Sequence, residues 1–395
     1  MTSRAVVADP QSPIETARFS LLPFVLFCLG HYFIDMYSSA LGALQPLLSD
    51  RFGLTLTQAG LLGGVLVWSS SVMQPFYGFL SDRWHSRLFT ALAPAMAGIF
   101  ISSLGWAPAY WALLVMVALG GAGIASFHPQ AAANATAGMR GNRSTAMAMF
   151  ICSGTVGLAC GPAVFSALAS RGVALNGWGA LPGVLTTLVL LVFQPALAGH
   201  AQARRRFEWE ALCAVWKPMT VLYLLVVIRS VVQITFTQFL PLYLHNERGY
   251  SLWAASLTLT LYLTGGAVGG LAGGRLADRF GGRLVILLSM IGSVPFLALF
   301  LFTKGALSAA GLFLGGLMLL FTIPVNVVMA QELAPAQGGT VSALMMGFGW
   351  GMAGVIFIPL TGWISDMYSM QHAFAGLISF PLLGFLLALK LPRSR

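Results

Sequence analysis

Gly78-Phe79-Leu80-Ser81-Asp82-Arg83-Trp84-His85-Ser86-Arg87 recurs, with its framework kept, as Gly274-Arg275-Leu276-Ala277-Asp278-Arg279-Phe280-Gly281-Gly282-Arg283. Each copy follows a long apolar run, and the two aspartates lie 196 residues apart in a chain of 395. A half-chain repeat in so apolar a sequence predicts two membrane half-domains of the same helix order, related by an axis along the membrane normal. In that arrangement the working site lies between the halves, near mid-bilayer. The repeat reaches into earlier spans. Pro46-Leu47 matches Pro241-Leu242 at an offset of 195, and Asp35 is matched at 194 by Arg229, a residue of opposite charge.

Hydrophobic residues make up 57% of the chain and charged residues 8%, with a mean hydropathy of +0.83. A soluble domain carries about 25% charged residues. Apolar stretches long enough to cross a hydrocarbon core of about 30 Å recur throughout. They predict an all-α membrane protein of twelve spans, at 20–48, 57–80, 88–106, 109–136, 144–169, 178–198, 218–244, 252–274, 284–303, 306–330, 340–364 and 372–391. Two six-helix bundles then occupy 1–198 and 218–395, joined by a linker at 199–217 that carries Arg204-Arg205-Arg206 and a short amphipathic stretch at Trp209, Leu212 and Trp216. The alternating segments of a membrane barrel are not seen.

The net charge of +10 follows membrane orientation. With the N-terminus inside, sixteen Lys and Arg fall in inner segments and four in outer ones. That bias puts both termini in the cytoplasm and argues against nucleic-acid binding. Residues 1–18 lack the pattern of a cleavable signal, because the apolar run from Phe19 continues past His31 and Asp35. Cys28, Cys152, Cys160 and Cys213 read as packing residues, so no disulfide, metal or cofactor is expected.

Twelve spans, a six-plus-six repeat and two copies of Gly-x-x-x-Asp-Arg-x-x-x-Arg together resemble the major facilitator superfamily. The second copy is complete; the first has His85 where the glycine usually sits. The resemblance implies alternating access and a gate built from Gly78, Asp82, Arg83, Arg87, Gly274, Asp278, Arg279 and Arg283. Each glycine permits a close helix contact. Each aspartate faces a helix N-terminus of the other half, a contact worth about 0.3–1 kcal/mol from the dipole alone. It forms when the cytoplasmic side closes.

Within the spans, away from their ends, stand one acid, Asp35, and one base, Arg229. Each costs about 2.5–3.5 kcal/mol at a helix centre on insertion scales, so each is a functional candidate. His31 lies one turn before Asp35 on the same face. The pair is expected to carry the coupling proton, with a fixed Asp35–Arg229 ion pair as the structural alternative. Phe127-His128-Pro129-Gln130 interrupts span 4 and places His128 and Gln130 in the cavity, with Arg229, Gln233, Asn326 and Tyr37 as further lining. Trp68, Tyr262 and Trp350 are candidate aromatic walls. His31-x-x-x-Asp35-Met36, Pro46-Leu47-Leu48 and Phe127-His128-Pro129 together resemble the fosmidomycin-resistance family of exporters, in which Glu often follows His-Pro; here Gln130 stands there. Gly157, Gly161 and Pro162 in span 5 resemble a facilitator antiporter motif and form a candidate hinge, with plain helix packing as the alternative.

These readings imply a proton-driven exporter of a small anionic or amphiphilic molecule, drug or metabolite, expected as a monomer in a bacterial inner membrane. A proton-independent facilitator or lipid-like-amphiphile exporter is the alternative within transport. An intramembrane hydrolase is disfavoured, since neither His-Glu-x-x-His nor Gly-x-Ser-x-Gly occurs.

Overall fold

A computed structural model describes residues 21–84, 86–135, 143–194, 213–335, 341–342 and 344–391. Its helices are α1 (Leu21–Phe52), α2 (Leu56–Val67, a π turn at Trp68–Val72, then Gln74–Trp84), α3 (Leu88–Ser102) and α4 (Tyr110–Ala135). They continue as α5 (Arg143–Ala169), α6 (Ala180–Phe193), α7 (Trp216–Asn246) and α8 (Leu252–Phe280). The last four are α9 (Gly282–Phe302), α10 (Gly305–Leu333), α11 (a π turn at Leu344–Phe348, then Gly349–Met367) and α12 (Met370–Ala388). Eleven are long and apolar enough to cross a membrane; α3 is shorter and runs into a 3₁₀ turn at Leu104–Trp106. Most of the expected linker, including Arg204–Arg206, lies outside the described residues, and α7 begins at Trp216.

The repeated motif is helical. Gly78–Trp84 and Gly274–Phe280 are the last turns of α2 and α8. Polar side chains can extend from a helix that has left the hydrocarbon, so the helix need not end where the apolar run does. What ends α8 is Gly281, at φ 86°, a backbone conformation that favours glycine. The matching His85 lies outside the described residues.

One apolar core, from Phe24 to Leu190, is built from α1–α6. A second, around Phe236, Tyr243, Phe300 and Phe374, belongs to the second half but takes in Ala59 and Val67 of α2 and Ala159 of α5. A third, around Leu222, Val285, Met345 and Ala388, contains second-half residues only. Thus the halves share a core toward the face opposite the chain termini (the far face) and part toward the termini.

Glycines make that far seal. A Cβ on Gly42 of α1 would collide with the Thr237 carbonyl of α7, and one on Gly362 of α11 with the Leu56 carbonyl of α2. Lipid supplies no hydrophobic drive for helices to associate, so backbones in close contact maximise dispersion instead. Polar contacts reinforce the rim. Asp366 of α11 accepts from Leu56 N (2.8 Å), Thr57 N (2.7 Å) and Thr57 Oγ1 (2.6 Å) at the start of α2. Ser166 Oγ of α5 donates to the Leu252 carbonyl of α8, and His245 of α7 lies 3.6 Å from Asp50 of α1. The structure is closed at the far face.

Candidate functional site

Asp35 sits seven residues before Gly42, two turns along the same face of α1, and so on the side that meets the opposite half. His31 of the same helix and His128 of α4 converge on it. His31 Nε2 is 3.4 Å from Asp35 Oδ2, and His128 Nε2 is 3.5 Å from Asp35 Oδ1. The two rings meet edge to face at 5.2 Å, and His31 stacks on Phe150 of α5 at 4.2 Å. Asp35 and His128 retain 13% and 22% side-chain exposure, so the cluster is not sealed into the bundle. His128 was expected in a cavity, and the structure brings it onto Asp35.

A backbone carbonyl fixes the chemistry of this pair. His31 Nδ1 is 2.8 Å from the Phe150 oxygen, which can only accept, so Nδ1 carries a hydrogen. Neutral His31 would then aim a bare Nε2 lone pair at the carboxylate. Two lone pairs do not face each other stably. A proton between them, on the ring or on the carboxyl, would relieve this. Gly154 of α5 leaves this spot open, because a Cβ there would overlap Asp35 Oδ2 and His31 Nε2.

Across from it, Arg229 lies near the middle of α7 and is 5% exposed. Its guanidinium donates to Gln233 Oε1 one turn on, and lies 5.7 Å over the Trp350 ring of α11. Both arrangements suit a flat, delocalised cation. Arg229 Nε has no hydrogen-bond partner, and neither has the Tyr262 hydroxyl nor either amide atom of Asn326, although all are buried. Buried polar atoms without partners are costly and mark places where a ligand could complete the bonding. No ion pair joins Asp35 to Arg229 among the described residues, so the fixed bridge is not present. The opposed charges belong to separate clusters, one on each half.

Two residues expected in the cavity point elsewhere. The Tyr37 hydroxyl donates to the Gly179 carbonyl and accepts from Gly183 N, both at 2.8 Å, inside the first bundle. Gln130 accepts from Thr90 Oγ1 (2.5 Å) and donates to the Ser86 carbonyl (3.3 Å), tying α4 to the start of α3. Both are satisfied core residues, since each lies two positions from the residue that faces the gap, and two positions in a helix are a rotation of about 200°. The span-5 glycines pack on α1: Gly157 against the Tyr32 carbonyl, Gly161 against that of Met36. Helix α5 runs unbroken through Pro162. The glycine stripe therefore serves contact, the packing alternative to a hinge.

A model of the Major Facilitator Superfamily matches residues 26–348 and 254–395. The chain belongs to the Major Facilitator Superfamily. It is an integral, multi-pass membrane transporter and not an enzyme, which removes the hydrolase alternative. It is 26% identical to the fosmidomycin resistance protein of Escherichia coli K12, over 98% of this chain and 97% of that one. Identity is 29% with an MFS-type transporter of Bacillus subtilis, YfnC (96% and 94%), and 25% with the probable sulfoacetate transporter SauU of Cupriavidus necator (86% of each). The fold matches an inward-facing bacterial homologue of the lysosomal transporter Spinster with a TM-score of 0.78, covering 93% and 95% of the chains at 14% identity.

Several of the motif residues contact their own half. Gly78 faces Pro129 of α4 and Gly274 faces Pro324 of α10. Arg87 donates to the Gln194 carbonyl at 2.9 Å, and Arg283 to that of Leu389 at 2.8 Å. Arg279 lies over the Phe280 ring, and Asp278 pairs with no described residue. Arg83 is exposed; the Asp82 side chain lies outside the described residues.

Proposed function

We propose that this transporter is a proton antiporter that exports a small molecule with an anionic group and a hydrogen-bond donor, by alternating access. The observation that carries the reading is the His31–Asp35–His128 cluster, in which the Nδ1–H held by Phe150 leaves the His31 Nε2 lone pair beside the carboxylate, where a proton can be shared. Arg229, with its free Nε beside Trp350, supports the anionic end. Because Arg229 is not paired with Asp35, protonation cannot act by releasing it. Coupling follows instead from competition: a substrate donor and a proton cannot both occupy the same carboxylate lone pairs. In this reading residues 1–198 and 218–395 rock as two bodies about the connection at 199–217. Both termini lie in the cytoplasm of a bacterial inner membrane, so the described state is open inward, and the gate motifs engage when that side closes.

The names of two relatives supply first probes, fosmidomycin and sulfoacetate, both small anions. Adding a transported probe to weakly buffered, solubilised protein should release protons, and Asp35→Asn should abolish the release and pH-driven transport. Proton uptake on probe binding, or full pH-coupled transport by Asp35→Asn, would reject antiport through this residue. Transport that survives collapse of the pH gradient and voltage would favour a facilitator instead.

A further inference from the structure

We propose that His31, Asp35 and His128 form a binding site for one divalent transition-metal ion of the zinc class, and that occupancy arrests the carrier. The three ligand atoms lie within 4.8 Å of one another. Zinc binds imidazole nitrogen at about 2.0–2.1 Å and carboxylate oxygen at about 2.0–2.2 Å with tetrahedral angles, which sets neighbouring ligand atoms about 3.4 Å apart. The two nitrogen–oxygen separations here are 3.4 and 3.5 Å. They run to the two different oxygens of Asp35, so with one oxygen as ligand the three atoms must draw in from within 4.8 Å of one another, and His128 is the most exposed of the three side chains.

A second observation points to the same ligand. His31 donates its other nitrogen to the Phe150 carbonyl at 2.8 Å, the outer contact that typically orients a metal-ligating imidazole and leaves its Nε2 lone pair for the ion. Two nitrogens and one carboxylate suit zinc, cobalt or nickel better than calcium or magnesium, which prefer all-oxygen shells. Three protein ligands leave a fourth position for water or a substrate group. The ligands come from α1 and α4, and the Phe150 brace from α5, all in one half. An ion there would stand where substrate and proton must exchange. The inference rests on geometry and holds whether or not transport is proton-coupled.

The test uses the full-length chain, free of any histidine tag, in detergent, titrated with Co²⁺ and then with Zn²⁺. The expected result is one saturable Co²⁺ per chain with a tetrahedral visible spectrum, displaced by Zn²⁺. His31→Ala and Asp35→Asn should each weaken binding at least 10-fold. His128→Cys should keep binding and add a thiolate-to-cobalt charge-transfer band, a gain that a misfolded variant cannot give. His245→Gln, which removes the far-face histidine, should change nothing. No saturable binding, or binding unaffected by His31→Ala and His128→Cys, would overturn the site. In proteoliposomes Zn²⁺ should inhibit wild-type probe transport reversibly with chelator. Binding without inhibition would overturn the arrest, and a failure of proton coupling would show in the pH-gradient assay with no change in the cobalt spectrum.

Discussion

Asp366→Ala should open the far face. The carboxylate accepts three hydrogen bonds from the first turn of α2, all between 2.6 and 2.8 Å, and sits at that helix's N-terminus. Hydrogen bonds to a charged group contribute about 1.5–3 kcal/mol each where water is excluded. The dipole adds about 0.3–1 kcal/mol. Asp366 is solvent-exposed, however, and water replaces these partners when the halves separate. Screening and side-chain entropy reduce such contacts severely. A net loss of about 1–2 kcal/mol is therefore expected, a factor of about 5–30 in the ratio of far-closed to far-open molecules. Spin labels at Arg51→Cys and Lys304→Cys, both exposed on this face and in different halves, report that ratio as a distance distribution. The host chain should first lose Cys28, Cys152, Cys160 and Cys213. If Asp366→Ala leaves the distribution unchanged within about twofold, the latch contributes nothing and the glycine seam alone holds the face shut.

Gly42→Val should act more strongly, because its Cβ meets the Thr237 carbonyl, which a rigid helix cannot move; overpacking of this kind costs about 1–3 kcal/mol, and the same labels should show the far-open population dominate. Arg229→Lys should fail to rescue Arg229→Gln, since an ammonium cannot supply the planar stack on Trp350 together with the Gln233 bond; a wild-type KM for an anionic probe in Arg229→Lys would refute this. Tyr37→Phe should lower thermal stability by about 1–3 kcal/mol, leaving the Gly179 carbonyl and Gly183 N without a partner, while selectivity among probes stays constant. A selectivity change there would return Tyr37 to the cavity wall.

The number and order of the helices were legible because apolar length reports membrane crossing directly, and the Gly78 and Gly274 motifs paired the halves. The approach of His31 to Asp35 was legible too, as a four-residue spacing. The approach of His128 was not, for it depends on how α4 rotates within the bundle. A partial signal did exist: His128 and Gln130, like Asp35 and Tyr37, stand about 200° apart on a helix, so at most one of each pair could face the gap. Applying that rule would have moved Gln130 and Tyr37 into the core at once. The Asp366 latch had no local signature, its partners being some 310 positions away. The π turns at Trp68–Val72 and Leu344–Phe348 likewise had no signature in the sequence.

Helix α5 has two neighbours that matter. One side rests its glycines on α1, at Asp35 itself and at the carbonyls below it; the other side abuts α8, where Ser166 reaches Leu252. Whatever fills or vacates the carboxylate therefore presses on the very rod that borders the opposing bundle, one helix diameter away. In the cycle proposed above no long chain of messengers is needed, because the carboxylate that exchanges its occupant leans directly on a helix at the border between the halves.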